Sequence, residues 1–165
     1  MKTAVKQWTL AGVFSALAVA LSMLESVLPP LPVAGAKLGL ANLAVMAALL
    51  AVSLPCAAGV TAVKIGFALF RGPLAFAMSA AGSVLSLVAM AVVHRLCRDK
   101  LSCLSLGLVG AVMHNTGQWI MAYVLLGKAM VYYAPLLFLM SIPAGLLTGL
   151  TVSLLKPYLE NITKG

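Results

Sequence analysis

The segment ESVLPPLPVAGAKLGLAN, residues 25–42, places a carboxylate at the end of one apolar run and a lysine and an asparagine at the start of the next. Glu25 is one of three acidic residues in the chain and the one embedded in apolar sequence. A charge at membrane depth is costly and usually faces a cavity, a partner or a transported species. The segment therefore predicts a membrane protein with a polar site near one face, to which Glu25, Lys37 and Asn42 contribute.

The composition of the whole chain agrees with a membrane protein. Hydrophobic residues make up 63% of the 165 residues, and charged residues make up 8%. A soluble domain has about a quarter of its residues charged, so lipid must be the solvent for most of this surface. At about 20 apolar residues per spanning helix, the length allows roughly six helices. The predicted fold is one all-α integral membrane domain over residues 1–165.

Six apolar runs bounded by Pro, Gly or charged residues give the predicted transmembrane helices: residues 8–28, 38–54, 56–70, 74–93, 104–126 and 132–155. An even number of spans puts both termini on one side of the membrane. That side would hold seven Lys or Arg residues and the other side three. The positive-inside rule then predicts that both termini are cytoplasmic.

The first helix also has the pattern of a secretory signal peptide. Lys2 and Lys6 precede an apolar run that contains Ala18-Val19-Ala20, a possible cleavage site. Cleavage there would leave five spans and put the polar segment at a new N-terminus. We therefore expect an uncleaved first helix.

Several functions are disfavoured because their motifs are missing. No G-x-x-x-x-G-K-[ST] loop is present, so the chain cannot hydrolyse ATP through a P-loop. Asp99 is the only aspartate, so no Asp-rich pair can hold magnesium on a diphosphate. No basic-aromatic pattern indicates nucleic-acid binding, and Cys56, Cys97 and Cys103 are expected to be free thiols. We expect no catalysis, no cofactor, no metal site and no nucleic-acid partner.

Two basic residues in helix 3 are candidates for a binding site. Lys64 and Arg71 are seven residues apart and lie on nearly one stripe of the helix. Lys64 lies deep enough to require a partner or hydration. It is either an ion-pair partner of Glu25 or an anion-binding cation, and the two roles are compatible. Arg71 is interpreted as an interfacial anchor.

Helix 5 carries a polar patch one turn long, made of His114, Asn115, Gln118 and Trp119. His114 with Gln118, and Asn115 with Trp119, are i,i+4 pairs that share helix faces. Four adjacent polar residues inside an apolar run predict a ligand-contact surface. A single histidine without Cys, Asp or a second His nearby is a poor metal site.

Small residues on helices 1 and 4 predict close helix contacts. In helix 1, Gly12, Ala16 and Ala20 recur every four residues. This stripe either packs inside the protein or docks a partner, and the sequence leaves both open. In helix 4 the small residues are interpreted as helix contacts rather than ligand groups: Ser79, Gly82, Ser83 and Ser86.

Three motifs, in order along the chain, resemble the Gx transporter family, which is also labelled heptaprenyl diphosphate synthase component I. They are ESVLPPLPVAGAKLGLAN at residues 25–42, SAAGSVLSLVAM at 79–90 and GAVMHNTGQ at 110–118. Lys64, in VKIGFALF, stands where such proteins often carry arginine, and this departure weakens any bidentate contact with an anion.

This family is similar to the substrate-binding (S) components of energy-coupling-factor vitamin transporters. The resemblance implies a six-helix, S-component-like bundle in a bacterial plasma membrane. It implies an outward-facing site covered by the loop between helices 1 and 2. It further implies a transmembrane coupling protein and two ABC-type ATPases as partners, with Gly12, Ala16 and Ala20 contacting the coupling protein.

Two hypotheses about function follow. The first is the binding subunit of an importer for a small anionic or amphipathic nutrient, or an isoprenoid- or quinone-related precursor. Its site residues would be Glu25, Lys37, Asn42, Lys64, His114, Asn115, Gln118 and Trp119. The second is a non-catalytic membrane accessory subunit of isoprenoid or menaquinone biosynthesis. Direct prenyl transfer is least favoured because the necessary carboxylates are missing.

Overall fold

The computed structural model describes residues 2–27, 39–97 and 101–164, which form six α-helices. They are α1 (Lys2–Val27), α2 (Asn42–Ala51), α3 (Leu54–Ala68), α4 (Pro73–Cys97), α5 (Cys103–Leu126) and α6 (Ala134–Lys164). One short 3₁₀ helix, Leu69–Arg71, follows α3, and another, Lys128–Tyr133, precedes α6. The prediction of an all-α fold is confirmed for these residues.

The described helices have the lengths and compositions of a membrane protein. Four are long and apolar enough to cross a bilayer: Val5–Val27, Leu54–Arg71, Pro73–Cys97 and Lys128–Leu159. Large apolar side chains such as Trp8, Phe70 and Val124 are exposed on the outside, where lipid would cover them. α5 has 24 residues but is not among the four, because its polar cluster around His114 lowers its hydropathy.

The prediction of a full-length second helix is wrong. α2 has 10 residues, about 15 Å at 1.5 Å per residue, against a hydrocarbon core about 30 Å thick. It begins late because Gly39 adopts a positive φ of 88° and its carbonyl accepts a bond from the Asn42 N–H at 2.8 Å. It ends early because Val52 leaves the helical conformation and Ser53 caps α3 instead.

Other helices begin and end close to the predicted positions or extend beyond them. Ser102 caps α5 by accepting a hydrogen bond from the Ser105 N–H at 3.1 Å. Gly127, with φ 87°, ends α5 and donates its N–H to the Tyr123 carbonyl. α4 and α6 continue past the predicted residues 93 and 155, because an apolar run marks the part of a helix in lipid and not its polar end.

α5 lies between α4 and α6 and approaches both at backbone distance. A Cβ atom on Gly117 would lie 2.5 Å from the Ala81 carbonyl oxygen of α4. A Cβ atom on Gly107 would lie 2.5 Å from the Gly145 carbonyl oxygen of α6. Small residues at four-residue spacing allow such close packing in membranes, and Gly145 with Gly149 is one such pair.

The helix ends meet in two groups, which defines the direction of each helix. Leu50 of α2, His94 of α4, Ser102 before α5 and Lys156 of α6 line one cleft of about 150 Å³. Glu25 of α1, Arg71 after α3, Ser79 of α4 and Gln118 of α5 line a separate cavity toward the other end. Successive helices therefore run in alternating directions, and α2 is buried among them.

Candidate functional site

The candidate site is a small polar cavity enclosed by α1, α3, α4 and α5, which we call the charged cavity. Its lining residues are Ser22, Glu25, Lys64, Arg71, Ala75, Ser79, His114 and Gln118. Two cationic residues and one acidic residue meet there, although charged residues are 8% of the chain. The cavity has room for about 10 Å³ of solvent, roughly one water molecule. Its chemistry suits a small anion, but a larger ligand requires the lining to move outward.

Glu25 fixes the start of the segment that leads into α2. One oxygen of its carboxylate, Oε1, accepts hydrogen bonds from the backbone N–H groups of Gly39 at 2.5 Å and Leu40 at 2.7 Å. Glu25 is 8% exposed, and a buried carboxylate must be satisfied in this way. Glu25 therefore has a structural role in addition to any contact with a ligand.

His114 is held from three sides at the inner end of the charged cavity. Its Nε2 lies 2.9 Å from Gln118 Nε2, one helical turn away. A Cβ atom on Gly39 would lie 2.9 Å from His114 Cδ2, and a Cβ atom on Gly82 would lie 2.9 Å from His114 Nδ1. The two glycines thus provide the space that the imidazole occupies.

Asn42 lies deeper in the bundle and joins α2 to α4 and α5. Its Nδ2 donates to Ser86 Oγ at 2.6 Å, and Ser86 Oγ donates to the Gly110 carbonyl at 2.8 Å. Asn42 and Ser86 are 3% and 0% exposed. This chain of hydrogen bonds sets the position of α2 and is not part of the charged cavity's lining.

Asn115 and Trp119 point to a different part of the bundle from His114 and Gln118. Asn115 Nδ2 donates to the Leu137 carbonyl at 2.8 Å and to Ser141 Oγ at 3.3 Å, joining α5 to α6. Trp119 Nε1 donates to the Met130 carbonyl at 3.0 Å, in the segment that precedes α6. Both residues hold the region between α5 and α6.

The structure therefore divides the eight predicted site residues. Glu25, Lys64, His114 and Gln118 line the charged cavity together. Asn42, Asn115 and Trp119 are not among its lining residues, and Lys37 lies outside the described residues.

Three polar or charged residues that the sequence did not assign to the site also line the charged cavity, together with Ala75. Arg71 was predicted to be an interfacial anchor, but it lies in the same lining as Lys64. Their shared stripe on helix 3 was the sequence signal for this. Ser79, interpreted as a helix contact, and Ser22 also line it, and no sequence signal distinguishes them from other serines.

The helix 1 stripe faces outward. Gly12, Ala16 and Ala20 are exposed, whereas Phe14 and Ala18 of the same helix are buried. A Cβ atom on Gly12 would meet nothing within 4 Å. Among the described residues, these three therefore do not take part in packing inside the protein.

In the part of the chain that the structure describes, no three His, Cys, Asp or Glu side chains come together as metal ligands. Cys56, Cys97 and Cys103 are free thiols, as predicted.

Comparison with known proteins gives one match. Residues 14–155 match the family described as heptaprenyl diphosphate synthase component I. No curated protein and no solved structure matches the chain. The matched range includes every residue that lines the charged cavity and all three motifs from which the resemblance was recognised. The chain therefore belongs to the heptaprenyl diphosphate synthase component I family.

Proposed function

We propose that this protein is the substrate-binding membrane subunit of an energy-coupling-factor-like importer. Its cargo would be a small anionic or amphipathic nutrient, or an isoprenoid- or quinone-related precursor. The observation that carries the proposal is the charged cavity itself, because Lys64 and Arg71 outnumber Glu25 there within helices that are otherwise apolar. Ionisable residues inside a membrane are costly and mark substrate pathways.

The expected orientation has six crossings with both termini in the cytoplasm of a bacterial cell. The alternating directions of the six described helices support six crossings. The excess of Lys and Arg at the terminal side supports the orientation. The charged cavity then lies toward the outer face, where a nutrient would arrive.

A second candidate function is a non-catalytic accessory subunit of isoprenoid or menaquinone biosynthesis. The family description names a component I, which suggests a second component as partner. In this case Gly12, Ala16 and Ala20 would dock that partner rather than a coupling protein. The single aspartate, Asp99, supports a role without prenyl transfer in either case.

Co-purification from the native host decides between the two functions. The tagged protein, solubilised in mild detergent, is expected to recover a transmembrane coupling protein and ABC-type ATPases, identified by mass spectrometry. A second sample carries Ala16→Leu, which places a larger side chain on the exposed stripe of α1. This variant is expected to reduce recovery of the partner without unfolding the protein. Recovery of a prenyl synthase without ATPases would instead support the accessory role.

Anion binding at the charged cavity is tested with inorganic phosphate at low millimolar concentration. Phosphate is expected to raise the unfolding temperature of the purified protein relative to chloride at equal ionic strength. Lys64→Met is expected to weaken this binding by about 10- to 100-fold, because a hydrogen bond to a charged group contributes about 1.5–3 kcal/mol.

Lys128→Met is the control for this test, since Lys128 is exposed and outside the cavity. It removes the same charge and is expected to leave the phosphate response unchanged. An equal response in wild type and Lys64→Met would contradict the assignment of the charged cavity as the binding site.

A further inference from the structure

The serines of α4 form a polar line that leads inward from the charged cavity. Ser79, Ser83 and Ser86 are four and three residues apart, so they share one helix face. Ser79 lines the cavity, and Ser86 bonds to Asn42 in the interior. Ser83 therefore lies between the two. The line is about 10 Å long at 1.5 Å per residue.

α5 offers a matching polar line opposite. Gln118 and His114 line the charged cavity, and the Gly110 carbonyl, two turns from Gln118, accepts the hydrogen bond from Ser86. Polar groups of both helices therefore continue from the cavity to Asn42. On α5, Gln118, His114 and Gly110 follow one another at intervals of four residues, about one helical turn.

Two oxygen atoms along this path have no hydrogen-bond partner among the described residues: Ser83 Oγ and Asn42 Oδ1. Ser83 and Asn42 are 1% and 3% exposed. The single hydroxyl proton of Ser86 goes to the Gly110 carbonyl, so Asn42 must donate its amide N–H to Ser86. The unpartnered atom of Asn42 is therefore its acceptor oxygen. Buried polar atoms without partners are few in native proteins and call for an explanation.

We propose that the binding site extends inward from the charged cavity to Ser83 and Asn42. We infer that its ligand is a compact anion with hydroxyl groups along its length, rather than an anion with a hydrocarbon chain. The inference rests on the proposed anion site and narrows its ligand class. Lys64 and Arg71 would bind the anionic group, and Ser83 Oγ and Asn42 Oδ1 would accept hydrogen bonds from the hydroxyl groups. A hydrocarbon chain in the same position would gain neither hydrogen bond, so it would bind less tightly than a hydroxylated anion of the same length.

The test compares two phosphate monoesters that differ by two hydroxyl groups, glycerol 3-phosphate and n-propyl phosphate. Binding to the purified full-length protein is measured by isothermal titration calorimetry. Wild type is expected to bind glycerol 3-phosphate about tenfold more tightly than propyl phosphate. Equal affinity for the two esters, or binding of neither, would overturn the inference.

Ser83→Ala is the decisive variant because it deletes an acceptor that bonds to nothing in the described protein. Its unfolding temperature is expected to be unchanged or higher, since an unsatisfied buried group is removed. Its preference for glycerol 3-phosphate is expected to fall below about threefold. A preference as large as that of wild type would show that Ser83 does not contact the ligand.

The phosphate titration of wild type and Lys64→Met tests the anion site separately from its inward extension to Ser83 and Asn42. If phosphate does not stabilise the wild-type protein, both the anion site and its inward extension are overturned. A Lys64-dependent phosphate response without discrimination between the two esters would retain the anion site and overturn only its inward extension.

Discussion

Replacing Gly39 with alanine is expected to lower the free energy of unfolding by about 2–5 kcal/mol. Gly39 has a φ of 88°, and a left-handed conformation costs an L-residue about 1–2 kcal/mol. The added Cβ would also lie 2.9 Å from His114 Cδ2, in a buried ring that has little room to move. Forcing the backbone away would weaken the hydrogen bond from the Gly39 N–H to Glu25.

Gly127→Ala is the matched control, because Gly127 has nearly the same φ, 87°, and nothing within 4 Å of an added Cβ. This variant has only the cost of a positive φ for an L-residue, so its free energy of unfolding is expected to fall by about 1–2 kcal/mol. Both variants would be measured by thermal and denaturant unfolding in the same detergent. Equal losses in the two variants would mean that the contact between Gly39 and His114 contributes nothing.

Gly149→Ala is expected to push α5 and α6 apart and to lower the free energy of unfolding by about 1–3 kcal/mol. Its Cβ would lie 2.6 Å from Leu104 Cα and 2.7 Å from the Cys103 carbonyl oxygen. Both are backbone atoms, so no side-chain rotation can relieve the contact and the whole helix must move. Gly107→Ala, on the opposing helix, is expected to have a similar effect, since its Cβ would lie 2.5 Å from the Gly145 carbonyl oxygen.

The control for these substitutions in the contact between α5 and α6 is Gly59→Ala in α3. Gly59 is exposed and has nothing within 4 Å of an added Cβ. Because alanine favours a helix over glycine by about 1 kcal/mol, this variant is expected to be slightly more stable than wild type. Unfolding of all three variants under the same conditions gives the comparison, and a stable Gly149→Ala protein would contradict the close packing described here.

The sequence predicted those features that depend on residue chemistry. Glu25, Lys64, His114 and Gln118 stand out because polar residues are rare inside apolar helices, and the structure places them in one cavity. Arg71 could have been added to them, since it shares a helix stripe with Lys64. Periodicity alone could not separate Asn115 from His114, because neighbouring residues on a helix point in directions about 100° apart.

Features that depend on backbone conformation could not be predicted in the same way. The apolar run at residues 38–54 has the composition of a spanning helix, yet Gly39 and Val52 leave the helical conformation and limit α2 to Asn42–Ala51. Gly145 and Gly149 have the small-residue spacing of a membrane contact, but this spacing alone does not predict that α6 packs against α5 at these positions. Which of several such stripes faces inward depends on the packing of all six helices.

The shortness of α2 also has an electrical consequence. A helix carries about half a positive charge at its N-terminus, and α2 begins at Asn42, inside the bundle and not at its end. That partial charge is therefore in surroundings of low dielectric constant, where water screens it poorly. Glu25 bonds to the two N–H groups of Gly39 and Leu40 just before it. The field of α2 itself arises from peptide dipoles, so it persists when Lys64 is replaced, and the adjacent carboxylate of Glu25 offsets its positive end.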